Sequence, residues 1–218
     1  MKIIYLSDFN CPYSYIGLNR VKNAVCELNL DVEWEMKSFE LEPNAENISS
    51  IDSFAVKNGL TGKDAIKEME KIEKIAQDDD LNINYRNLTL NSSKDAHRLA
   101  KYVQNSYPEL SQDLIFEIFE SNFIKNENIA DHDVLIRIAA SYGLDENEIG
   151  KMLKGNSLDI EVYLDMDEAI SNGITTVPYY FIEYNNERLI IPGVFEKESF
   201  KIAFEDLISG KMRSKTFV

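Results

Sequence analysis

Two short stretches carry residues whose types and spacing could do chemistry: Cys11-Pro12-Tyr13-Ser14 and the distant Val177-Pro178. Ile3 to Leu6 reads as a strand running into the first, and an amphipathic helix from Pro12 to about Leu28 follows it. Proline suits the first helical position, where its missing N–H leaves no bond unmade. Cys11 then falls at the helix cap, where unpaired N–H groups and the positive dipole end favour a thiolate. A thiol so placed is expected below the free value of about 8.5, and the thiolate is the nucleophile. Helical spacing returns residue 14 beside residue 11, so the Ser14 hydroxyl can donate to the Cys11 sulfur but cannot form a disulfide with it. One attacking sulfur is present without a resolving partner.

The elements that must position this thiol come from a chain of 218 residues, enough for a sizeable core. It carries 23 Lys and Arg against 38 Asp and Glu, a net charge of −15, which argues against nucleic-acid and anionic-membrane partners. No apolar run approaches the roughly 20 residues of a membrane span. Ile3 to Leu6, interrupted by Asp8, is too short for a secretion signal, so a cytoplasmic protein is expected. The acidic run Asp78 to Asp80 reads as a solvated helix end. With only Cys11 and Cys26 there is no disulfide framework. If the helix is continuous, Cys26 lies four turns beyond Cys11, too far to bridge, and reads as a small core residue among Val21, Ala24, Val25 and Leu28.

Residues 1 to about 40 read as strand, helix and strand, the second strand spanning Val32 to Phe39, which implies a parallel pair with a right-handed crossover. From about Ile51 to Asn156 the period becomes helical. Thr61 to Ala76 places Ile66, Met69, Ile72 and Ile75 at helical spacing; Ser93 to Tyr102 and Leu114 to Ile124 follow. Asp131 caps a further helix that Gly143 ends. A helix from Leu158 to Ser171, strands at Thr175 to Glu183 and Arg188 to Ile191 with a turn between, and a helix from Lys197 to Ser209 complete the chain. The tail from Lys211 is expected to fray.

This order is that of an α/β thioredoxin fold with a large all-helical insertion. Residues 1–50 and 157–218 form the thioredoxin-like part and 51–156 the insertion. The stretch Ser7 to Gly17 resembles the active-site turn of the DsbA-like superfamily, especially its FrnE-type cytosolic branch. Asn91 to Arg98, Phe123 to Leu135, Gly173 to Phe181 and Ile191 to Phe195 are similar to further stretches of that branch, leaving about residues 45 to 85 uncovered. On local sequence Pro178 reads as a trans proline opening an edge strand. The resemblance implies that Val177-Pro178 is cis and faces Cys11, with the Val177 backbone open to an extended peptide or to glutathione by strand addition. Family members usually have a second cysteine where this chain has Ser14, and a lone thiol cannot resolve its own mixed disulfide.

The expected activity is therefore thiol–disulfide exchange, oxidoreductase or isomerase, through a single cysteine. Cys11 and Ser14 would be catalytic, Pro12, Tyr13, Val177 and Pro178 would bind substrate, and Asp8 and His97 would support them. Asp8 could orient the turn or accept a proton, or be a solvated or capping residue, although its charge would oppose a thiolate. His97 reads as a packing or capping residue between insertion and core, with a general-base role as the alternative, and His132 as exposed. Tyr13, Tyr15, Tyr179 and Tyr180 could line a groove around Cys11 or serve as core. No metal site and no permanently bound cofactor is expected; glutathione would be a co-substrate, and the partner a thiol or disulfide peptide. A second reading is a glutathione-dependent isomerase or transferase, because Pro12 to Tyr15 is similar to the turn of hydroxychromene-carboxylate isomerases and kappa-class glutathione transferases. A third is a non-catalytic peptide-binding module.

Overall fold

The computed structural model describes residues 1–211; the expected frayed tail lies, beyond Lys211, outside them. Strand β1 (Lys2–Ser7) alternates strictly. Ile3 and Tyr5 point to one face of the sheet, Ile4 and Leu6 to the other. Helix α1 (Pro12–Glu27) returns the chain to β2 (Glu33–Ser38), which pairs with β1 in parallel from Lys2 opposite Glu33 to Ser7 opposite Ser38. Strands β5 (Tyr179–Tyr184) and β6 (Glu187–Pro192) complete an antiparallel side, giving the order β2-β1-β5-β6. Their hairpin turns at Asn185 and Asn186, both at positive φ, which suits asparagine.

Between β2 and β5 lies a helical block. It holds α2 (Ser50–Asn58), α3 (Gly62–Asp78), α4 (Lys94–Ser106), α5 (Pro108–Phe123), α6 (His132–Ser141), α7 (Glu146–Lys154) and α8 (Asp159–Ser171). A two-residue pair, β3 (Ile48–Ser49) with β4 (Thr89–Leu90), ties α2 to the start of α4. Helix α9 (Lys197–Ile208) closes the fold beside α1. The expected Asp131 cap forms, accepting from the Asp133 N–H, and Thr61 caps α3 by accepting from the Asp64 N–H. In α3 the most buried positions are Ala65, Met69, Ile72 and Ala76, with Ile66 and Ile75 beside them. No helix among the described residues is long and apolar enough to cross a membrane.

One continuous core joins the sheet face carrying Ile3, Tyr5, Tyr180 and Ile182 to the helical block. Tyr15 of α1 stacks on Phe119 of α5 at 5.1 Å and 7°. Phe9 meets the same ring at 4.9 Å. Each such aromatic pair adds about 1 kcal/mol beyond its buried area. The free edge of β2 is closed by side chains. Gln104 accepts from the Met36 N–H at 2.7 Å, and Asp165 from the Ser38 N–H at 2.9 Å. An edge so covered cannot template another strand.

Four expectations need correction. Cys26 is exposed rather than core: Ala24 and Val25 take the inward positions of the last turns of α1, which leaves residue 26 facing out. Asp79 is not a solvated helix end, because its carboxylate holds the buried Arg20 at 2.6 Å. β5 begins at Tyr179, not Thr175, because the chain must first pass Pro178, which cannot donate to the ladder. His132 is only partly exposed and meets Asp95 at 2.7 Å.

Candidate active site

The turn forms because Cys11 donates its N–H to the Asp8 carbonyl at 3.0 Å, while its own carbonyl accepts from the Ser14 N–H at 3.0 Å. Cys11 takes the N-cap position of α1 with Pro12 next, as the sequence predicts. The Val177-Pro178 bond is cis, and Cys11 Sγ donates to the Val177 carbonyl at 3.6 Å across 166 residues. The two stretches that looked chemical in the sequence therefore meet. Ser14 is fully buried beside the sulfur, and its hydroxyl and N–H both favour a thiolate there.

The thiol is nevertheless not acidic. Leu6, Phe39, Ala169 and Val177 enclose Cys11, leaving it 5% exposed. Burial pushes its pKa up to about 11, Ser14 opposes that rise without cancelling it, and the Asp8 charge adds to it. The expectation of a thiol below the free value is overturned because the cap position is dry. Helix ends acidify a cysteine only where burial does not outweigh them.

Beneath the turn lies a buried carboxylate platform. Asp8 Oδ1 accepts from the Ser93 hydroxyl at 2.7 Å and the Asn10 N–H at 3.1 Å, while Oδ2 accepts from the Leu41 N–H at 2.7 Å. His97 Nε2 stands 3.6 Å from Oδ1, an ion-pair separation beyond hydrogen-bond reach, and both residues are fully buried. Burial acts to raise the Asp8 pKa, but the His97 imidazole, the Leu41 N–H and the Ser93 hydroxyl outweigh it, so the carboxyl is held below its usual range. His97 thus sits between insertion and core as expected, packed on Phe9 at 4.9 Å. No hydrogen bond joins Asp8 or His97 to the Cys11 sulfur; they support the turn from below.

Several contributors escaped the sequence reading. Asn10 donates to the Asn91 carbonyl at 2.7 Å and Asn122 to the Phe9 carbonyl at 2.8 Å, clamping the turn to the segment that leads into α4 and to α5. The signal for Ser93 was available: four residues before His97, it shares that face of α4. Gly17 is required by close approach, since a Cβ there would stand 2.5 Å from the Tyr180 hydroxyl and 3.2 Å from Pro178 Cγ. The tyrosines divide. Tyr15 and Tyr180 are core, Tyr13 is half-buried, and Tyr179 packs against the Cys11 cluster.

A model of the DSBA-like thioredoxin domain matches residues 2–205. The chain belongs to that family. A curated relative, "Uncharacterized protein YwbO" of Bacillus subtilis (strain 168), is 25% identical over 209 residues, covering 92% of this chain and 94% of its own. Among solved structures, the probable DsbA oxidoreductase SCO1869 from Streptomyces coelicolor superposes with a TM-score of 0.84 at 23% identity, covering 100% of this chain and 92% of that one. The cytosolic disulfide reductase DsbM from Pseudomonas aeruginosa, solved with GSH, gives 0.63 at 13% identity, over 98% of this chain and 100% of that one. These likenesses are of fold.

Proposed function

We propose that this DSBA-like protein is a thiol–disulfide oxidoreductase or isomerase that works through Cys11 alone, with a glutathione-type thiol as second reactant. The observation that carries the reading is the sulfur at the cap of α1, bonded to the carbonyl beside the cis-proline, with a hydroxyl where a second sulfur would stand.

In the resting state the Val177 carbonyl holds the thiol proton. An extended substrate that pairs with the Val177 carbonyl takes over that acceptor, leaving Ser14 and the cap N–H groups to stabilise the sulfur as it ionises. The thiolate then attacks one sulfur of the substrate disulfide. The substrate S–S bond breaks, a Cys11 mixed disulfide forms, and the departing thiolate takes up the proton Cys11 gave. No neighbouring sulfur can clear this intermediate, so a second thiol attacks it, restoring Cys11 and leaving as the new disulfide. If the first substrate is a glutathionylated protein and the second thiol is glutathione, the products are the free protein thiol and oxidised glutathione. A cytoplasmic setting, where glutathione is abundant, suits this cycle, and the DsbM structure with GSH supports the choice of thiol.

The test is a glutathionylated peptide incubated with protein and glutathione. Release of the peptide thiol should need Cys11 and vanish in Cys11→Ser, while Cys26→Ser keeps it. Equal release with Cys11→Ser would reject the proposal. Glutathione held tightly and without covalent attachment by that variant would favour the isomerase or transferase reading instead.

A further inference from the structure

The sheet has a second face, and helix α8 covers only part of it. Strand registers lay two rows of side chains across this face: Glu35, Ile4, Phe181 and Ile190 in one, Lys37, Leu6 and Tyr179 in the other. Helix α8 crosses the β2 side, where Asp165 bonds the Ser38 N–H and Lys37 reaches Glu168 at 2.7 Å. Over β5 and β6 no helix follows. The result is a cleft of about 520 Å³ with Tyr179, Phe181 and Ile190 as floor and Ala169 and Ile174 as wall. That volume, with an apolar floor inside a charged rim, is the size of a small-molecule site.

We propose that this cleft is a second binding site, separate from the thiol, for a flat aromatic molecule bearing a carboxylate or similar anion. The aromatic preference follows from the floor: the rings of Tyr179 and Phe181 lie side by side at 5.2 Å and 48°. Beside them Ile190, opposite Phe181 in the ladder, is 48% exposed and uncovered by protein. A planar ligand set against Tyr179 and Ile190 buries this surface and leaves the Phe181 face to Arg188.

The anionic preference follows from the charges at the rim, which is otherwise rich in acids. Each of those acids already has a lysine. Glu35 meets Lys2 at 2.8 Å, Glu168 meets Lys37 at 2.7 Å, and Asp165 lies between Lys101 and Lys37. Arg188 differs. Its guanidinium stands 4.3 Å above the Phe181 ring, and its anionic contact is a long one, Nε to Glu183 at 3.4 Å, with both side chains about half exposed. Such an exposed pair holds together weakly. Arg188 can therefore turn its planar fork from the Phe181 ring to the carboxylate of a ligand lying beside it, without breaking a tight ion pair.

Cys11 does not line the cleft. Leu6 and Ala169, which do, also pack around the sulfur, so the inner end stops one side-chain layer short of it. Occupancy thus stands independently of the exchange chemistry, and the two proposals fail separately.

Calorimetric titration of the full chain with 2-naphthylacetate tests the site. One saturable equivalent is expected, unchanged in Cys11→Ser. Loss of a charge-assisted contact predicts binding weakened by about tenfold to a hundredfold in Arg188→Gln, with partial recovery in Arg188→Lys. Ile190→Glu, at an exposed position, should abolish binding while its thermal melt shows the variant folded. The neutral amide of the same ring should bind as weakly to the native chain as the carboxylate does to Arg188→Gln. The proposal is overturned by absence of saturable binding, by equal affinity for the acid, the amide and 2-naphthylmethylamine, or by unaltered affinity in Arg188→Gln and Ile190→Glu. Binding lost in Cys11→Ser would also overturn it, placing the ligand at the thiol.

Discussion

Removing the Ser14 hydroxyl should make an already reluctant thiol slower still, and its size can be worked from the site. With Cys11 at about 11, about one molecule in ten thousand carries the thiolate at neutral pH, against about a few per cent for a free thiol. Alkylation by iodoacetamide should therefore be roughly three-hundredfold slower than for an unhindered cysteine, and should climb about tenfold per pH unit until about 11. A hydrogen bond to a charged group contributes about 1.5–3 kcal/mol, so Ser14→Ala should raise the pKa by about one to two units and slow alkylation tenfold or more at fixed pH. Because Cys26 is exposed, the assay belongs in a Cys26→Ser background, read by intact mass over time. The same shift appears in stability. Between the usual value of 9.0 and about 11 the folded chain holds a proton that the unfolded chain releases. Cys11 therefore makes stability fall as pH rises through that window, by about 3 kcal/mol in all. Cys11→Ser should flatten the slope between about 9 and 10, below where the buried tyrosines Tyr5 and Tyr180, also raised, begin to contribute. A half-maximal alkylation rate at or below about 8.5, or superimposable profiles for Ser14→Ala and its parent, would refute the reasoning.

Other perturbations follow from the same geometry. Gly17→Ala gains about 1 kcal/mol of helix propensity. It must nonetheless push its Cβ into the Tyr180 hydroxyl and the Pro178 ring, so a net loss of about 1–2 kcal/mol in denaturant unfolding is expected. His97→Leu leaves the buried Asp8 carboxylate with only its Ser93, Asn10 and Leu41 donors, which should destabilise by about 1–3 kcal/mol at neutral pH. The native Asp8 carboxyl sits below its usual 3.8, so its contribution is present above that value and disappears as pH falls below it. The gap between the variant and its parent should therefore narrow in acid. Ser14→Cys supplies the missing sulfur, and should turn a protein dependent on added thiol into one that clears its own mixed disulfide and oxidises or reduces dithiols.

Much of this site was legible in the sequence because its pieces are local. Pro12 after Cys11 marks a helix start, three-residue spacing brings Ser14 to the sulfur, and the short apolar run Ile3 to Leu6 marks the strand that delivers both. What was not legible depended on burial. A cap position speaks for an acidic thiol; only the packing of Leu6, Phe39, Ala169 and Val177, residues spread along the whole chain, reverses it. Cys26 failed because Val25 and Cys26 are neighbouring small apolar residues at the edge of the helix's apolar face, and only the packing of α1 decides that Val25 faces inward. The pairing of Asp8 with Ser93 and His97 is long-range, and the open half of the second sheet face follows from where α8 happens to lie.

The central claim is that a single sulfur at the α1 cap, facing Val177, exchanges with disulfides and waits for an outside thiol. Its most direct test is the intact mass of the Cys26→Ser chain after exposure to oxidised glutathione, followed by dilution and then by added glutathione. One glutathione should attach at Cys11, survive dilution, and leave only when the second thiol arrives. No adduct at Cys11, or one that clears without an added thiol, would contradict the account.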